Sequence, residues 1–407
     1  MKKRILGVLL VCVMVFSLLT ACGKEENKGN EGSNAPAAST NDSTNNASTN
    51  NAASNTNDTN TTTNDSNANE APVVEAPANG TKVGVAMPTK DLQRWNQDGD
   101  NMKKKLEEAG YTVDLQYASN DVPTQVSQIE NMISSGCKVL VIASIEGDSL
   151  GTVLEQAKEK DVKVIAYDRL IMGSDAVTYY ATFDNEMVGV KQGEYIEEKL
   201  GLKEGKGPFN IELITGDPGD NNARFFFGGA MKVLQKYIDN GQLVVKSGQV
   251  DFATVATQSW STENAQNRFD AILSANYSDG TQLDAVLASN DSTAMGVTNS
   301  LIANYEGTHD NWPIITGQDC DKPNVKNMLD GKQSMSIFKD TRTLAAKTVE
   351  MVDAIMQGKE APINDRDTYD NGTGKIPSYL CEPVFADASN YEEILIKSGY
   401  YTMADIK

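Results

Sequence analysis

The chain has 407 residues, a formal charge of −20, five cysteines and a single histidine. Such an acidic chain repels nucleic acid and anionic lipid, so a neutral or cationic ligand is favoured. One histidine, His309 in a loop flanked by Gly, Asn and Pro, disfavours His-based catalytic triads and zinc sites.

The chain opens Met1-Lys2-Lys3-Arg4 and then runs apolar over residues 5–21, the charged and hydrophobic parts of an export signal. The run ends Leu19-Thr20-Ala21-Cys22, where small residues admit a peptidase and the Cys22 thiol is available for lipid attachment. A transmembrane anchor is the competing reading; the run is short for a bilayer, and small residues before a polar tail fit cleavage better. Residues 22–80 are mostly Asn, Ser, Thr and Ala. With little to bury they cannot offset their chain entropy, and the expectation is a disordered tether.

The remainder, 81–407, is long enough for two lobes. Strand-length apolar runs alternate with helical patterns, the pattern of βαβ units around a parallel sheet. The first set places strands at 82–87, 113–118, 138–143, 163–167 and 179–182, with helices at 95–109, 122–135 and 149–160. The second places helices at 186–200, 222–237, 262–275 and 292–304 among strands at 210–215, 243–247, 285–288, 314–317 and 334–338. A helix at 341–356 and an extended stretch at 378–385 are surplus to two simple sheets, so they are expected to cross between the lobes. The fold class is therefore α/β, with two doubly wound parallel-sheet lobes joined by a multi-crossing hinge and a ligand site at the carboxyl ends of the strands.

The residues at those ends carry planar polar or charged groups. They are Lys90, Arg94 and Trp95 after the first strand, Asp168 and Arg169 after the fourth, then Asn221, Asn222, Asn290, Asp291, Gln318, Asp319 and Lys339 in the second set. A pyranose offers hydroxyls that both donate and accept, and C–H faces that an indole covers, which makes Trp95 and Trp260 candidates for the two faces. Helix capping competes with binding for Asp184, Asp220 and Asp291, and core packing competes for Trp260. Arg94, Arg169 and Lys339 cannot cap a helix N-terminus. Nucleotide motifs are missing: the Gly201–Gly207 stretch has the wrong spacing for a phosphate loop. Residues 367–372 carry Tyr369 where a calcium loop needs a ligand, so no metal is assigned, and no cofactor is expected. Cys137, Cys320 and Cys381 read as small buried residues, with a Cys320–Cys381 contact near the hinge left open.

With these residues in place, the chain resembles the periplasmic sugar-binding proteins of ABC importers, in the multiple-monosaccharide and D-xylose-binding branch. The resemblance spans 81–407. It rests on Pro88-Thr89-Lys90 with Arg94-Trp95, on Gln128-Ile129-Glu130-Asn131-Met132, and on Ile165-Ala166-Tyr167-Asp168-Arg169-Leu170. Tyr180-Ala181-Thr182-Phe183-Asp184-Asn185, Asp220-Asn221-Asn222-Ala223, Gly317-Gln318-Asp319 and Phe338-Lys339-Asp340 add to it. It implies the type I periplasmic-binding-protein fold, with crossings near 182–184, 338–339 and 377–381. Lobe 1 would then hold 81–182 and 339–376, and lobe 2 would hold 183–338 and 377–407.

It further implies that Arg94, Asp168, Arg169, Asn290, Asp319 and Lys339 hydrogen-bond a monosaccharide, with Asn221 or Asn222 adding to them and Trp95 and Trp260 covering its faces. The implied partner is an importer permease. A sensor presenting sugar to a chemoreceptor or sensor kinase uses the same fold. The chain is expected to be a monomer held to the membrane through lipid on Cys22 alone, with no nucleic-acid partner and no catalytic residue. A glycosidase using Asp168 and Asp319 is disfavoured, because neighbouring Arg and Lys side chains would lower the carboxyl pKa that a catalytic acid needs raised.

Overall fold

The computed structural model describes residues 80–306, 309 and 311–406. The expected signal peptide, the Cys22 lipidation site and the tether, apart from Gly80, lie outside the described residues.

The first lobe is built from β1 (Lys82–Met87), α1 (Gln93–Glu108), β2 (Thr112–Tyr117), α2 (Val122–Ser134), β3 (Val139–Ile142), α3 (Gly151–Glu159), β4 (Lys163–Tyr167) and β5 (Val177–Phe183). The chain then enters the second lobe through α4 (Asn185–Lys199), β6 (Phe209–Ile214), α5 (Asn221–Asp239) and β7 (Leu243–Val244). There follow α6 (Phe252–Val255), α7 (Thr262–Asn276), β8 (Ala285–Ala288), α8 (Asp291–Asn304), β9 (Ile314–Ile315), α9 (Lys322–Leu329) and β10 (Met335–Phe338). It returns to the first lobe as α10 (Thr341–Met356) and β11 (Ser378–Cys381), then ends in the second as β12 (Val384–Asp387) and a π-helical turn at Glu392–Lys397.

The first sheet has the order β11-β5-β4-β3-β1-β2, and every neighbouring pair is parallel. Its inner strands are mostly apolar because helices cover both faces; all four residues of β3 are apolar and buried. One core lies on the α1 and α10 face, around Val83, Val85, Met102, Leu106 and Leu344. The other lies under α2 and α3, around Ile129, Leu140, Leu154 and Tyr180. The second sheet runs β7-β6-β8-β9 in parallel. Beside it the antiparallel pair β10–β12 continues the layer through a single parallel bridge between Gln318 and Ile337.

The stretch expected as one extended segment at 378–385 is two strands. Ser378–Cys381 pairs with β5 as the outer strand of the first sheet, whereas the expected boundary placed it in lobe 2. The break falls at Glu382-Pro383, where proline has no N–H to give to a ladder and restricts the residue before it. The last crossing therefore comes after Cys381. The helices α6 and α9 were not expected from the sequence.

Cys137, Cys320 and Cys381 are free and buried. Cys320 packs with Val325 and Leu395, and Cys381 with the α10 core, so the two do not pair. Tyr369 is buried edge-on against Tyr180, and Asn371 Nδ2 donates to the carbonyls of Ile171 and Ser174, so the 367–372 loop is tied into the first lobe. His309 stacks on Tyr305 with ring centroids 3.7 Å apart.

Candidate functional site

Between the lobes lies a narrow cavity with about 20 Å³ of free space. The first lobe lines it with Leu92, Arg94, Trp95, Asp168 and Arg169; the second with Asp220, Phe226, Trp260, Asn290, Gln318 and Asp319; Lys339 sits where β10 leads back to α10. A larger surface hollow near Tyr277 and Tyr305 is lined by the second lobe alone and lacks converging groups of both charges.

Backbone strain marks three of these positions. Asp168, Trp260 and Asp319 hold φ at +57°, +54° and +97°, a region that non-glycine residues enter only when the surroundings impose it. At Asp168 the imposing groups are visible: its carbonyl accepts from Tyr180 Oη at 2.6 Å, Thr182 Oγ1 at 2.8 Å and Asn222 Nδ2 at 2.6 Å. The carboxylate is thereby aimed into the cavity rather than along the strand.

The charged side chains form an alternating network. Arg94 Nη2 donates to Asp168 Oδ2 at 2.9 Å, and Nη1 to Asp319 Oδ1 at 3.3 Å. Lys339 Nζ lies 3.5 Å from Asp168 and 3.4 Å from Asp319. Burial opposes the charge on Asp168 most strongly, yet Arg94, Lys339 and Arg169 together hold its carboxyl below the usual range. Burial also works against the Arg94 charge, and the surrounding carboxylates of Asp168, Asp98 and Asp319 overcome it and raise its pKa.

Arg169 Nη1 donates to the carbonyls of Ser144 and Ile145 at 3.1 and 3.2 Å. Its Nε is 3.0 Å from Asp220 Oδ2, an ion pair whose N–H is not aligned for a hydrogen bond. Burial pushes the Asp220 carboxyl up, and Arg169 opposes that shift.

The two indoles are fixed differently. Trp95 lies under both guanidinium groups, 4.4 Å from Arg94 and 5.1 Å from Arg169, and its buried Nε1 has no hydrogen-bond partner. Trp260 Nε1 donates to Asp220 at 3.1 Å. Its ring lies so close to Gly216 that a Cβ there would overlap the indole. Phe226 is brought in by the tight crossing of α4 and α5, where a Cβ on Gly189 would collide with the Phe226 carbonyl.

Of the residues selected from sequence, Arg94, Trp95, Asp168, Arg169, Trp260, Asn290, Asp319 and Lys339 meet at the cavity. Asn221 and Asn222 do not line it. Asn222 spends its amide on Asp168 and on Tyr180 Oη, and Asn221 is a partly buried residue in the first turn of α5. Lys90 is exposed, over the Tyr117 ring.

Capping and lining prove compatible. Asn290 caps α8 in a capping box with Thr293, while Asp220 caps α5 with one oxygen and meets Trp260 with the other. Asp184 caps α4. Asp291 is buried beneath the site, accepting from Gln333, Ser336 and the Asp321 N–H. Leu92 and Phe226 were missed, since apolar lining reads like core. Among the described residues no cluster of three or more His, Cys, Asp or Glu side chains is arranged to hold a metal ion.

Residues 83–360 match the family described as Periplasmic binding protein domain. The chain is a periplasmic binding protein. This periplasmic binding protein is 74% identical to a solved ABC transporter solute-binding protein of Clostridium phytofermentans with bound β-D-glucose, over 80% of this chain and all of that one, with a TM-score of 0.79. It is 54% identical to the multiple sugar-binding periplasmic protein of Azospirillum brasilense, over 80% of this chain and 91% of that one. It is 53% identical to the multiple sugar-binding periplasmic receptor of Rhizobium radiobacter, over 80% and 92% respectively.

Proposed function

We propose that this periplasmic binding protein is the substrate-binding lipoprotein of an ABC importer and that its cavity takes one aldopyranose, with D-glucose the first candidate ahead of D-xylose, D-galactose and L-arabinose. The observation that carries the reading is the alternating set Arg94, Asp168, Arg169, Asp319 and Lys339 between two indoles in a small cavity shared by both lobes. Sugar hydroxyls both donate and accept, so they match a wall in which fixed cations and carboxylates alternate. The unpartnered Nε1 of Trp95 and Oε1 of Gln318 are a donor and an acceptor that such hydroxyls would satisfy. The glucose bound by the Clostridium phytofermentans relative supports that sugar first.

Turnover is disfavoured. A glycosidase acid needs a raised carboxyl pKa and a free oxygen: Asp168 is held low by its cationic neighbours, and Asp220, which burial pushes up, has one oxygen on the α5 cap and the other on Trp260 and Arg169. Among the described residues no helix is long and apolar enough to span a membrane, and the Leu19-Thr20-Ala21-Cys22 run is the feature that supports anchoring through lipid on Cys22.

Titration calorimetry with the four sugars tests the proposal. One-to-one binding to at least one of them is expected. Silence with all four, or product accumulating with time, would refute it.

A further inference from the structure

Arg94 is the cation that touches most of the network, yet its strongest hold is on a residue outside the cavity. Asp98 lies one helical turn further along α1, so the two side chains share a face. Arg94 Nε donates to Asp98 Oδ2 at 3.0 Å and Nη2 donates to the same oxygen at 2.9 Å. The other oxygen, Oδ1, accepts from Tyr167 Oη at 2.5 Å. Asp98 and Tyr167 are both fully buried, and neither lines the cavity.

We infer that Asp98 is a positioning residue for the ligand: it clamps the Arg94 guanidinium in the plane and rotation that ligand binding requires, and Tyr167 clamps Asp98 in turn. The inference rests on the proposed sugar site. A guanidinium has five N–H groups. Asp98 takes the Nε–H and one on Nη2, Asp168 the other on Nη2, and Asp319 one on Nη1. The free N–H is therefore on Nη1, at the end of the group farthest from Asp98, which is the end that faces the second lobe through Asp319.

Without Asp98 the Arg94 side chain would keep its cavity carboxylates and the Trp95 face but lose the Nε and Nη2 fork that holds the guanidinium from behind the cavity. Tyr167 closes the arrangement, because it ends β4 immediately before Asp168 and Arg169. The ring Tyr167–Asp98–Arg94–Asp168 thus ties the start of α1 to the end of β4, the two elements that supply the first lobe's polar groups.

A thermodynamic cycle in sugar affinity tests this, read by calorimetry against D-glucose and the best-bound of the other three sugars. Asp98→Asn keeps the shape and loses the charge; it should weaken binding roughly tenfold to a hundredfold, the range for losing hydrogen bonds to a charged group. Arg94→Met should weaken it further. In the Arg94→Met background Asp98→Asn should cost nothing more, since it acts only through the guanidinium.

Equal losses in both backgrounds, or an Asp98→Asn protein within threefold of wild type, would overturn the inference. Should Asp98→Asn fail to fold, Tyr167→Phe carries the same cycle, with about a threefold to tenfold loss expected in the wild-type background alone. An Arg94→Met protein that binds like wild type is a different result and removes the proposed site itself.

Discussion

Replacing Arg169 by alanine is the most direct probe of how the lobes and the ligand share one set of charges. Arg169 is anchored on the first lobe by two carbonyls and reaches Asp220 on the second. Truncation leaves the Ser144 and Ile145 carbonyls without that donor and leaves Asp220 buried, with only Trp260 Nε1 and the Asn222 N–H. The carbonyl losses fall within the first lobe, but the Asp220 loss falls on the closed arrangement.

Removing one partner of a buried charge pair costs about 2–5 kcal/mol, which is roughly a 30-fold to 5,000-fold rise in Kd if the cost falls on binding. Calorimetry with the best-bound sugar measures it, with a thermal melt confirming that the variant is folded. Asp220→Asn should move affinity the same way, because asparagine keeps one acceptor oxygen for the α5 cap but turns an NH2 donor toward Trp260 Nε1 and Arg169. An Arg169→Ala protein within threefold of wild type, about 0.7 kcal/mol, would refute the reasoning.

Gly216→Ala should push the Trp260 ring out of place and weaken sugar binding by about twofold to tenfold, one lost aromatic contact being worth about 0.5–1.5 kcal/mol; unchanged affinity would mean that Trp260 is core alone. Asp321 is partly buried, but its Oδ1 is sealed without a hydrogen-bond partner, and burial, with Asp319 beside it, raises its carboxyl to about 7 from 3.8. Between those values the fold holds a proton that the unfolded chain has shed, so this group makes stability fall as pH rises. Asp321→Asn should therefore raise the melting temperature at pH 8 and match wild type at pH 4; parallel curves would disprove the assignment. Saturating sugar should reduce the radius of gyration of the protein, because ligand groups come from both lobes, and an unchanged radius with binding confirmed would leave a rigid receptor. Cys22→Ser should release the chain from membranes after signal removal; continued membrane fractionation would end the lipoprotein reading.

The parts of the fold legible in the sequence are those with one strong physical cause. Parallel strands buried on both faces read as apolar runs, and β1, β4 and β8 have the expected bounds. Helix α1 was expected at 95–109 and runs Gln93–Glu108, because its ends lack a strong signal: Leu92 offers no capping side chain. A four-residue helix such as α6 has too few positions to show a period, and no pattern says which sheet β11 will join.

At the site, Arg94, Asp168, Arg169, Asp319 and Lys339 were legible because charges at strand ends have few other uses. Asn222 was misread because its direction depends on Tyr180 and the Asp168 carbonyl, a contact set up by the strained backbone of another lobe. Asp98 was invisible for the opposite reason: a carboxylate four residues after an arginine on a helix looks like an ordinary surface pair, and only packing against Tyr167 reveals that it is buried.

The late arrival of β11 bears on how the chain is made. Strand β5 must wait for a partner nearly 200 residues downstream, since Cys381 pairs with Phe183. At a synthesis rate of about 5–20 residues per second, that interval is roughly 10–40 s during which the edge of the first sheet has no neighbour. An unpaired apolar edge is a template for pairing with another chain. The first lobe therefore cannot complete itself as a nascent unit, and a holdase that masks β5 during synthesis would protect an edge that the finished sheet covers only with its last strand.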